Sequence, residues 1–137
     1  MNRWLNQFRL QFEKRVIDVY GNVSFSSGAP SLINSPTNNK GLISVSHPGT
    51  GLYTFVFGTN STLPRDTYVK LLNVSAVFLN TSAAPAAPLY SVRANNISVA
   101  GTASIEMAFY NPSGTATDPA DADTLFIDFC LGDSTAP

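Results

Sequence analysis

Charge is scarce in this chain of 137 residues: 12% of positions are Asp, Glu, Lys or Arg, and the formal net charge is −1. Wrapping nucleic acid requires a strong positive field, which 8 basic residues set against 9 acidic ones do not create. Disorder driven by excess charge is excluded too, because 44% of the residues are hydrophobic. The one cysteine, Cys130, forms no intramolecular disulfide, and the one histidine, His47, builds no histidine-rich metal centre. No apolar run approaches the ~20 residues of a membrane-spanning helix, and the N-terminal MNRWLNQFRLQF lacks the unbroken apolar core of a signal peptide. These absences predict a single soluble domain made in the cytoplasm, with no membrane partner and no direct nucleic-acid partner.

What is abundant is neutral polarity: Ser, Thr and Asn together supply 39 residues. Five Asn-x-Ser/Thr sequons, at Asn22, Asn60, Asn73, Asn80 and Asn96, follow from that composition and read as incidental. Nine prolines and nine glycines cut the apolar stretches into lengths under about ten residues, the punctuation of an all-β chain. Turn or loop signals fall at 28–30, 36–41, 47–51, 58–64, 83–88, 101 and 112–119, leaving eight or nine candidate strands.

Three segments alternate with period two, as strands with one buried face must. Ala103, Ile105, Met107 and Phe109 oppose Ser104, Glu106, Ala108 and Tyr110, and Leu125, Ile127, Phe129 and Leu131 oppose Phe126, Asp128 and Cys130. Leu72, Val74, Ala76 and Phe78 oppose Asn73, Ser75, Val77 and Leu79. The expected fold class is all-β: an antiparallel β-sandwich or jelly-roll-like domain over residues 21–137, with a small barrel open on pattern alone.

Residues 1–20 read as an N-terminal arm or a first element. Trp4, Phe8, Phe12, Val16 and Tyr20 recur every four positions, a helical stripe, while Phe8, Leu10 and Phe12 alternate with Arg9 and Gln11 as a strand would. Both readings are open. Charge is asymmetric: Arg3, Arg9, Lys14 and Arg15 crowd the first 15 residues, and Asp118, Asp121, Asp123, Asp128 and Asp133 crowd the last 20. A first core element with solvated charges explains the segment. So does an arm that contacts a neighbouring protein through Arg3, Trp4, Phe8, Arg9, Phe12 and Arg15, residue types enriched at interface centres.

Catalytic motifs are not assembled by local spacing. His47 in SHPGTG reads as an exposed loop histidine, Cys130 as a structural thiol among core positions, and Gly49 and Gly51 as hairpin glycines, since HPGTGLY lacks the Lys-Ser/Thr of a phosphate-binding loop. Asp118, Asp121 and Asp123 offer oxygen ligands but not the order of a calcium loop, and an Asp-Pro turn explains them without metal. The chain is therefore expected to be no enzyme, with no cofactor and no metal. Tyr53, Tyr68, Tyr90 and Tyr110 would serve sugar stacking if the domain were a carbohydrate-binding module, although core or edge packing explains them more cheaply.

With few charges to guard strand edges, assembly is the natural use of such a surface. Three segments, SVSHPGTGLYTFVF (44–57), LPRDTYVKLLNVSAVF (63–78) and GTATDPADADTLFIDFCLGDSTAP (114–137), carry a resemblance. The chain resembles the small β-rich virion structural proteins of tailed bacteriophages, including capsid cement or decoration proteins, over roughly residues 16–137. The resemblance implies a self-associating domain that binds the major capsid protein on the outer capsid surface after synthesis in the host cytoplasm, and the low charge and many strand edges point to a homodimer, or else a trimer. A tail or fibre component is implied by the same wording.

Overall fold

The computed structural model describes residues 16–33, 39–58, 70–79, 87–96 and 102–132. Period-two alternation is realised there as nine strands, and no helix occurs among the described residues. These are β1 (Val16–Ser26), β2 (Ala29–Leu32), β3 (Asn39–Lys40), β4 (Leu42–Gly49), β5 (Leu52–Gly58), β6 (Lys70–Leu79), β7 (Leu89–Asn96), β8 (Thr102–Tyr110) and β9 (Thr124–Gly132).

The strands form two antiparallel sheets packed face to face, a β-sandwich. One sheet has the order β2-β1-β9-β6, with β3 also pairing β1, and the other has the order β4-β5-β8-β7. The last two strands thus take the central places, β8 between β5 and β7 and β9 between β1 and β6. A closed barrel is not formed: among the described residues an isolated parallel bridge, Tyr20 to Gly41, joins the β1 sheet to the chain entering β4.

Burial follows the alternation in β8 and β9. Ile105, Met107 and Phe109 are fully buried with Ala103 almost so, and Leu125, Ile127, Phe129 and Leu131 are fully buried. Phe129 meets Phe55 and Phe57 of the opposite sheet at ring-centroid distances of 5.4 and 5.6 Å, so the two sheets share one aromatic core. Removing a fully buried Phe, Leu or Ile side chain from water stabilises a fold by roughly 1.5 to 3 kcal/mol. Such burial, repeated along four central strands, is what holds the sheets together.

One sequence expectation is corrected, and one open reading is decided for its described residues. In β6 the inward set begins with Leu71, not Leu72: Leu71 packs against the core while Leu72 is 47% exposed. A register irregularity between Leu71 and Asn73 against β9 is the cause, because the extra residue of a bulge breaks the two-residue period. The alternation of Val74, Ala76 and Phe78 then holds. At the N-terminus, where the sequence leaves helix and strand both open, Val16 and Tyr20 lie in β1, and Trp4, Phe8 and Phe12 lie outside the described residues. Nine consecutive pairs from Val16 with Gly132 to Ser24 with Thr124 fix that strand against β9, and a strand's backbone pairing overrides a local helical period. Residues 16–20 therefore belong to the sandwich.

Candidate functional site

Three connections converge at one end of the sandwich: the β1–β2 turn, the β4–β5 hairpin and the β8–β9 loop. Asp118, on the last of these, links them. Its Oδ1 accepts the Gly51 amide at 2.6 Å and lies 2.9 Å from His47 Nε2 and 3.2 Å from the Tyr53 hydroxyl. The Tyr53 hydroxyl donates to the Gly28 carbonyl at 2.9 Å, which joins the first turn to the cluster.

Local sequence explains the approach. Gly51 adopts a positive φ of 69°, and a Cβ there would meet the Phe109 carbonyl at 2.7 Å and the Thr117 amide at 2.8 Å, so only glycine fits. The Gly51 carbonyl accepts the Phe109 amide at 2.8 Å, pulling the hairpin tip onto β8. Gly28, with φ of 76°, leaves room for Asp118, whose Oδ2 would stand 2.9 Å from an added Cβ.

His47 is consequently not a free loop histidine. It lies in β4, half-buried, with its ring stacked on Tyr53 at 4.8 Å and an interplanar angle of 18°. The hairpin places it there: the turn that the sequence suggested at 47–51 is confined to Thr50 and Gly51, and His47 belongs to the strand before it. Tyr53 is fully buried and cannot present its ring to a sugar; Tyr90 and Tyr110 are accessible, and Tyr68 lies outside the described residues.

An imidazole held by a carboxylate is half of a general-base arrangement. The other half, a serine, threonine or cysteine side chain hydrogen-bonded to that imidazole, is not formed among the described residues. Burial, reinforced by the Asp118 carboxylate, pushes the Tyr53 hydroxyl well above the usual phenol range, so it holds its proton and acts as a donor. What this arrangement does is pin three connections to one carboxylate.

The other acids of the 118–123 stretch are occupied in the same manner. Asp121 accepts the Ser27 amide, and Asp123, buried, accepts the Ala120 amide at 3.2 Å. Ser27 and Ala122 are the two non-glycine residues with positive φ among the described residues, and the Ala122 amide donates to the Phe25 carbonyl at 3.0 Å. Among the described residues no group of three or more His, Cys, Asp or Glu side chains is placed to hold a metal ion.

A second cluster lies on the outer face of the β1 sheet. Asp18 pairs in register with Cys130, and Asp128 pairs with Tyr20 one step along. Burial, with Asp18 nearby, raises both the Asp128 carboxyl and the Cys130 thiol above their ordinary ranges, and Asp128 Oδ1 is buried without a hydrogen-bond partner. A thiol so protonated is a poor nucleophile.

The residues that sequence reasoning chose as contacts, Arg3, Trp4, Phe8, Arg9, Phe12 and Arg15, lie outside the described residues. A different surface was missed. Of the eight large hydrophobic side chains exposed in the described structure, six are on β6 and β7: Leu72, Val77, Leu79, Leu89, Tyr90 and Val92. A seventh, Phe126, pairs in register with Val77. The readable signal was that Val77 and Leu79, on the face opposite Val74, Ala76 and Phe78, are themselves apolar.

Comparison of the chain with protein-family models, with curated proteins and with solved structures finds no match.

Proposed function

We propose that this chain is a non-enzymatic structural protein of a virion: a self-associating capsid cement protein that binds the major capsid protein and clamps adjacent subunits of the shell. The observation that carries the structural part of this reading is the crowding of exposed apolar side chains on two edge strands, β6 and β7. Natural sheets guard their edges with charge, proline or a covering segment. On β7 the one charged side chain is Arg93, placed 3.9 Å from Glu106, and from Leu71 to Leu79 β6 carries no charge. A surface of this kind suits a protein that works when covered. The capsid assignment within that reading rests on the resemblance of 44–57, 63–78 and 114–137 to phage virion proteins.

Its mechanism is linkage. A clamp that binds the assembled lattice and not the free subunit stabilises the lattice by mass action. The arm residues Arg3, Trp4, Phe8, Arg9, Phe12 and Arg15 are the proposed lattice contacts, and the sandwich is the rigid platform behind them. The test is immunogold labelling of the chain on intact particles, with a heat-release assay on particles that lack it. Label on the shell, with DNA release at lower temperature when the chain is missing, is expected. Label on the tail moves the protein to the tail or fibre class, and particles without label overturn the virion reading.

A further inference from the structure

We draw no further inference here: the strongest candidate, the patch on the outer face of the β1 sheet where the exposed ring of Phe126 stacks on Tyr20 beside Asp128, carries none because nothing in the structure shows what covers it.

Discussion

The side of the sandwich at β2 and β4 and the side at β6 and β7 use the same kinds of residue to opposite effect. At the first, Gly21 of β1 makes room for its neighbours: a Cβ there would stand 2.7 Å from Leu42 Cδ1 and 3.3 Å from Leu32 Cδ1. Leu42 is buried, Leu32 and Val45 pack against the core, and the Tyr20–Gly41 bridge ties the margin shut. At the second, Phe78 packs against the core, but Val92 and Tyr90, which are as apolar and face the same core, stay 40% and 39% exposed. Hydrophobic residues therefore do not report burial by themselves. The closed margin is held by a glycine that permits close approach and by the Tyr20–Gly41 bridge, whereas the open margin shows no such device among the described residues.

Four variants sharpen that contrast. Phe129→Ala, at the centre where both margins end, is expected to cost about 3 to 5 kcal/mol in urea unfolding, because it removes ring contacts to Phe55 and Phe57 and leaves a cavity. Leu42→Ala on the closed margin is expected to cost about 2 to 5 kcal/mol, against under about 1 kcal/mol for Val92→Ala measured where the chain is monomeric. Equal losses at the two positions would break the comparison. Asp118→Ala, which frees the Gly51 amide and unlinks His47 from the hairpin clasp, is expected to lose about 1 to 3 kcal/mol, read as a lower thermal midpoint with the β signal intact.

The smallest effect concerns pH. Asp128 binds its proton more tightly in the folded chain than in the unfolded one, where it returns to the ordinary carboxylate range. Its protonated form favours the fold, so its contribution is fully present below the unfolded value and is lost as pH rises through the raised folded value. Asp128→Asn, which cannot ionise, is expected to match the wild type in acid and to exceed it modestly near neutral pH. Denaturant midpoints of the two proteins across that range check the sign, and a variant less stable than wild type at neutral pH contradicts it.

Alternation made β8 and β9 legible, since Ile105, Met107, Phe109, Leu125, Ile127, Phe129 and Leu131 all turned out buried where a period of two put them. In β6 the same rule failed for one residue, because a bulge at Leu72 is set by pairing with β9 and leaves no mark in local composition. Pro48 and Gly49 make His47 read as a loop residue, and its partner Asp118 stands 71 positions away, beyond the reach of local pattern. Turn chemistry near 118–123 was readable, but which amides those carboxylates receive was not, since Gly51 and Ser27 come from other connections.

Sequence by itself determined the class of this protein: short apolar runs, a two-residue period and frequent turn residues leave its described chain little but antiparallel sheet, because backbone pairing and one buried face are satisfied together only there. Tertiary structure decided which apolar residues are core and which are surface. Val92 and Met107 both face inward on neighbouring strands, yet Met107 is fully buried and Val92 is 40% exposed. The reason is that burial depends on what packs on both sides of a strand, and β8 lies between β5 and β7 whereas β7 ends its sheet.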